Sequence, residues 1–131
     1  MLNDSHTSVV GMRQIGQFEQ IIVTEFEQLQ TFLNNLNKKN NKREKEMKCK
    51  ESLFMMTAMS NFCGRIYDFE VANLLKQTLG NHWKICFDAA ALAPTSSNIG
   101  LSICDFAVIS FYKMFGYPTG YGDQSIYYNK N

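Results

Sequence analysis

The chain has almost no net charge: thirteen Lys and Arg offset twelve Asp and Glu, leaving +1. No global field therefore draws it to nucleic acid or to a membrane surface. It lacks any apolar run long enough to cross a bilayer, and it does not open on a secretory apolar segment. Its four cysteines, at positions 49, 63, 86 and 104, include no pair separated by two residues, the spacing a metal knuckle needs, so no metal site is expected. Cys86 and Cys104 lie within apolar runs, and reduced thiols in a cytosolic protein are the simpler reading. No internal repeat is visible. These absences lead to the expectation of a soluble, cytoplasmic protein. Its 131 residues suffice for one domain with a modest core.

What is present is an alternation of apolar runs and amphipathic segments. Asp4 or Ser5 can cap a helix beginning near His6. Ile21-Ile22-Val23 is a short strand candidate, followed by the capping box Thr24-Glu25-Phe26-Glu27 and a helix with Phe26, Leu29, Leu33 and Leu36 on one face. The continuous apolar run Leu53 to Met59 predicts a buried strand. Asp68 can cap a further helix with Val71, Leu74, Leu75 and Leu79 as its inner stripe and Gly80 as its stop. Two more strand-like runs follow, Trp83 to Phe87 and Phe106 to Lys113. Strands alternating with helices imply an α/β fold with a parallel sheet.

One segment interrupts this order. Residues 38–50 hold seven of the thirteen basic residues, mixed with Asn and Glu. A solvated loop is the preferred reading, since Glu44 and Glu46 dilute the charge; a basic arm touching RNA or acidic lipid is the sharper alternative.

Two strand ends carry chemistry. One apolar run ends at Asp88, and another, 25 residues on, ends at Lys113 ahead of a Gly/Pro-rich turn. A carboxylate and an amine so placed are what pyridoxal phosphate requires. The amine condenses with the cofactor aldehyde, and the carboxylate keeps the pyridine nitrogen protonated. Each residue also has a plain reading, Lys113 as a surface lysine and Asp88 as a turn or helix cap.

The segment Phe87-Asp88-Ala89-Ala90, then Asp105-Phe106, then Ile109-Ser110-Phe111-Tyr112-Lys113-Met114-Phe115-Gly116-Tyr117-Pro118-Thr119-Gly120, resembles the cofactor-lysine region of eukaryotic molybdenum cofactor sulfurases. These are relatives of the cysteine desulfurases in the class-V aminotransferase group. Asp4 to Arg13 and Ser60-Asn61-Phe62-Cys63-Gly64-Arg65 agree in the same order. Tyr112 stands where cysteine desulfurases proper usually carry His.

The resemblance implies a fold class: α/β, a partial parallel-sheet large domain of a fold-type I pyridoxal phosphate enzyme. It would occupy residues 1–122, with the 38–50 basic loop as an insert and 123–131 as a divergent tail. It also implies roles. Lys113 would be the catalytic residue, attached to pyridoxal 5'-phosphate and moving the proton at the substrate α-carbon. Asp88 would pair with the pyridine nitrogen. Ser110 and Tyr112 would donate to the phosphate, which alternation allows while the strand stays extended. His6 would stack on the ring, and Asn61 would reach the phenolic oxygen.

For the parent enzyme the implied reaction takes sulfur from L-cysteine and passes it to molybdenum cofactor, for xanthine dehydrogenase and aldehyde oxidase. A homodimer is one assembly open to it, and neither nucleic acid nor membrane is an expected partner. None of the four cysteines matches the family's persulfide position, which lies beyond the lysine; Cys63, beside Asn61, is expected simply to pack. The upstream phosphate loop, the persulfide loop and the domain that receives molybdenum cofactor are also not matched, so the chain is expected to be a piece with little turnover alone. Ala91 and Leu92 offer no amide where cysteine desulfurases place Gln. A remnant acting as a binding module, and another class-V enzyme such as a cysteine desulfurase or an aminotransferase, remain the rival readings.

Overall fold

The computed structural model describes residues 1–18, 20–29, 31–33, 35, 51–80, 82–116 and 124–128. The 38–50 basic segment, Leu36, Cys49 and the turn at 117–122 lie outside them. The described elements, in chain order, are α1 (Thr7–Ile15), β1 (Ser52–Thr57), α2 (Glu70–Leu79), β2 (Trp83–Asp88), β3 (Phe106–Ser110), α3 (Phe111–Phe115) and β4 (Gln124–Tyr128).

The strands form one sheet in the order β1-β2-β3-β4. The first two pairings, in register Phe54 to Ile85 and Met56 to Phe87 between β1 and β2 and Phe87 to Ala107 between β2 and β3, are parallel; β4 joins β3 antiparallel over five residue pairs. The expected α/β class with a parallel sheet is therefore present, as three parallel strands with an antiparallel neighbour. Residues 124–128, expected as divergent tail, supply that fourth strand.

Alternation along the strands separates two faces. Phe54, Met56, Ile85, Phe87 and Ala107 fall on one, where they join a core with Ala72 and Leu75 of α2 and with Leu2, Leu29 and Leu33 from the start of the chain. The stripe expected on α2 is oriented as read, with Leu75 buried and Val71 and Leu74 packed against the core. Asp68 accepts from the Glu70 N–H at 2.9 Å, and Gly80 ends the helix at φ 79°, a backbone region that suits glycine. Entry into β3 is held by Asp105, whose Oδ2 accepts from the Ile85 N–H at 2.8 Å and lies 3.2 Å from Lys76 Nζ.

Three local expectations are corrected. The cap of α1 is His6, whose side chain accepts from the Ser8 N–H, while the Ser5 hydroxyl donates to the Leu2 carbonyl. Ile21-Ile22-Val23 forms no strand; the next residue, Thr24, makes one parallel bridge with Leu2. Thr24 is consequently buried in that bridge, and its hydroxyl donates to the Glu25 carbonyl at 3.3 Å instead of capping a helix. In each case a contact with the first residues of the chain replaces the local motif.

Gly100 marks the tightest approach in the core. It sits at φ +71°, and a Cβ there would meet Phe87 Cε2 at 2.6 Å and Phe69 Cγ at 3.0 Å. Gly100→Ala is expected to destabilise the fold by about 2–4 kcal/mol, combining overpacking with an unfavourable φ. The shift of the urea midpoint measures it, and an unchanged midpoint contradicts it.

Candidate functional site

Three parallel strands bring their carboxyl ends to one edge of the sheet, the edge at which open α/β sheets bind ligands. The register sets Thr57 beside Asp88, and Asp88 beside Val108, with Ser110 two residues further along β3. Paired residues share a face, so Thr57, Asp88 and Ser110 lie on the face opposite the Phe87 core. All three are buried. Asp88 Oδ1 accepts from the Ala90 N–H at 3.2 Å, so the acid also makes the turn contact of its plain reading. The Ser110 and Thr57 hydroxyls have no hydrogen-bond partner among the described residues. Each such buried hydroxyl costs on the order of 1–3 kcal/mol until something binds it. Thr57 was not singled out by sequence reasoning, since a threonine within an apolar run carries no local signal.

Lys113 is not at a strand end. β3 stops at Ser110, and residues 111–115 turn into α3, closed by Gly116 at φ 70° and ψ 22° with its N–H on the Tyr112 carbonyl. The alternation argument for Ser110 and Tyr112 therefore fails, because the chain between them is no longer extended. Ser110 is the N-cap residue but makes no side-chain cap, which leaves its hydroxyl available. Tyr112 is half-buried, and Lys113 is exposed with Nζ 6.0 Å from the Tyr112 ring centroid.

His6 and Asn61 meet in a pocket of about 350 Å³ lined by residues 3–7, Asn61 and Phe62. His6 is oriented by its capping role: Nδ1 accepts from the Ser8 N–H at 3.2 Å and lies 2.8 Å from Ser8 Oγ. A backbone N–H can only donate, so Nδ1 is the acceptor and the neutral ring carries its proton on Nε2. Asn61 is a turn residue, as its plain reading has it, in a tight reversal between β1 and α2. There Ser60 Oγ accepts from the Phe62 and Cys63 N–H groups at 3.2 and 3.4 Å, and Gly64 adopts φ +73°. Since Asn61 follows the end of β1 by four residues, the topology places this turn after the same carboxyl edge as Asp88 and Ser110.

The thiols divide by environment. Cys63 does not pack: it is exposed, and the Arg65 backbone N–H, followed by the Ser60 hydroxyl, holds its thiol below the ordinary value of 9.0. Cys86 is buried on the site face of β2, and burial pushes it up to about 12. Burial also raises Cys104. Iodoacetamide at neutral pH is therefore expected to alkylate Cys63 roughly tenfold or more faster than Cys86 or Cys104, because the thiolate is the nucleophile. Timed peptide mapping checks this, and equal rates contradict it.

Against curated proteins, the chain is similar to the molybdenum cofactor sulfurase of Caenorhabditis elegans, 36% identical over 124 residues, and to molybdenum cofactor sulfurase 1 of Aedes aegypti, 38% identical over 127. The molybdenum cofactor sulfurase of Danio rerio is 34% identical over 129 residues. Each match covers 92% of this chain, which spans only 15–16% of the length of these relatives. No family model and no solved structure matches. The resemblance read from the motifs thus extends along nearly the whole chain.

Proposed function

We infer that this chain is a segment of a molybdenum cofactor sulfurase and contributes residues to a pyridoxal phosphate site on the large domain of a fold-type I enzyme. Similarity to these sulfurases over 92% of the chain supports the parent activity. The observation that carries the site is the buried Ser110 hydroxyl without a partner, on the same face and at the same edge as buried Asp88. A donor with no acceptor fits a phosphate oxygen, and a buried carboxylate fits a protonated ring nitrogen.

When bound, pyridoxal phosphate supplies an electron-withdrawing pyridinium ring for chemistry at an amino-acid α-carbon. The residues divide the remaining work. Lys113 would hold the cofactor through its amine and would take and return the proton at the substrate α-carbon. Asp88 holds the proton on the ring nitrogen. The Ser110 hydroxyl and the Tyr112 phenol bind phosphate oxygens, His6 packs its imidazole on the ring, and the Asn61 carboxamide donates to the phenolic oxygen. L-Cysteine is the sulfur source and molybdenum cofactor the acceptor, with the sulfur-carrying thiolate lying outside this chain. The complete protein works as a cytoplasmic enzyme, without nucleic acid or membrane as partner.

The test is capture. The chain is incubated with pyridoxal phosphate and reduced with borohydride, and its lysines are mapped by mass spectrometry. Labelling concentrated on Lys113 supports the site; labelling spread evenly over exposed lysines overturns it. Alanine released from L-cysteine by the longest native polypeptide containing these residues then tests the parent activity, and transamination without alanine release would favour an aminotransferase.

A further inference from the structure

The two walls of the His6–Asn61 pocket come from segments far apart in the chain. Residues 3–7 form one; Asn61 and Phe62, on the reversal between β1 and α2, form the other. Among the described residues, one side-chain hydrogen bond joins these segments: the Tyr67 phenol donates to Asp4 Oδ2 across 63 positions. Asp4 lines the pocket two residues before His6. Tyr67 closes the reversal, its N–H bonded to the Ala58 carbonyl at 3.1 Å.

Neither residue is explained by a simpler role. The Asp4 carboxylate does not cap α1, since one oxygen is taken by Tyr67 and the other, Oδ1, is buried with no hydrogen-bond partner among the described residues. The Tyr67 ring packs against Phe26 at 4.6 Å between centroids, with the Arg65 guanidinium 5.3 Å from its own centroid, and a phenylalanine would keep that packing. The hydroxyl is the part that packing does not require. It also stays protonated: burial, then the hydrogen bond and the charge of Asp4, push it up to about 12, so the donor persists through the neutral range.

We propose that Asp4 and Tyr67 are positioning residues, a tether that sets the spacing between the His6 wall and the Asn61 wall of the pocket. Tyr67 fixes the reversal carrying Asn61 to the loop that leads into His6, so both side chains meet an occupant from set positions. The inference rests on the pyridoxal reading only for the identity of that occupant. Asp4 Oδ1 is buried without a partner among the described residues, so the phenol is the one side-chain donor this carboxylate meets there.

Four forms of the chain decide it: wild type, Tyr67→Phe, Asp4→Ala and Asp4→Asn, the last retaining a carbonyl acceptor for the phenol. Without ligand, the His6 ring and Asn61 side-chain resonances are recorded by NMR, with the amides of β1 to β3 as the fold control. Tyr67→Phe and Asp4→Ala are expected to move both sets of resonances together while the strand amides hold, and Asp4→Asn to restore them towards wild type. Capture of pyridoxal phosphate at Lys113 is expected to weaken about tenfold in the first two variants, the scale of one charge-assisted hydrogen bond.

Unmoved His6 and Asn61 resonances in Tyr67→Phe overturn the tether, as does Asp4→Asn behaving like Asp4→Ala. Wild-type capture retained in full by Tyr67→Phe overturns the positioning role. If the wild type captures nothing, the cofactor reading fails, and the resonances still decide the tether.

Discussion

Lys113→Ala is expected to remove essentially all pyridoxal phosphate fixed at this position by borohydride, a fall of roughly a hundredfold or more, because the substitution deletes the amine that condenses with the aldehyde. The fold should barely respond. Lys113 is exposed on α3, which contributes no buried residue, so the unfolding midpoint should stay within about 0.5 kcal/mol of wild type. Lys113→Arg keeps the charge but offers a guanidinium that does not condense with an aldehyde, and should be as inactive in capture as the alanine variant. Lys84→Ala, which removes an amine 3.9 Å from Asp105, should retain capture. Fixed cofactor persisting in Lys113→Ala would move the attachment elsewhere and sink the assignment.

Phe87→Ala should have the largest effect on stability, about 3–5 kcal/mol. Phe87 is fully buried, stacks on Phe69 at 5.2 Å between centroids, and stands in register with Met56 on one side and Ala107 on the other. A small domain is stable by only about 5–15 kcal/mol in all, so the variant should be largely unfolded at modest urea or temperature. Phe62 is the control: it is 96% exposed, and Phe62→Ala should cost less than about 0.5 kcal/mol. Circular dichroism during urea unfolding reads both, and equal midpoints for the two variants would refute the placement of the core.

What could be read in advance was whatever a local pattern determines. The run from Leu53 and the run from Trp83 are continuous and apolar because both faces of a parallel strand are covered, and both became strands. Asp68 and Gly80 marked the ends of α2 through chemistry confined to a single turn. Asp88 could be named because it ends such a run and Ser110 through the resemblance, and the structure buries both at one edge. Failures fall where a local pattern fits two structures or where distant residues decide. The Phe111-Tyr112-Lys113 end of an apolar run suits strand or helix equally, and only the glycine cap at 116 with its hydrogen bond to Tyr112 settles it as helix. Ile21 to Val23 had the composition of a strand but form none, the neighbouring Thr24 alone making a bridge to the first residues of the chain. The Tyr67 to Asp4 bond joins residues 63 positions apart and leaves no periodic trace.

Phe87 and Asp88 are neighbours in one strand yet serve opposite faces, the first in the core and the second at the candidate site. Deleting or inserting one residue within 83–88 would exchange the two faces, burying a carboxylate in the core and presenting an aromatic ring where the acid belongs. Length variation among descendants of this sequence should therefore collect in the turns after the strands, such as 89–105, and be purged from β2. In evolutionary terms, stability and chemistry are linked traits here, inherited as one block of six residues that can drift by substitution but not by slippage.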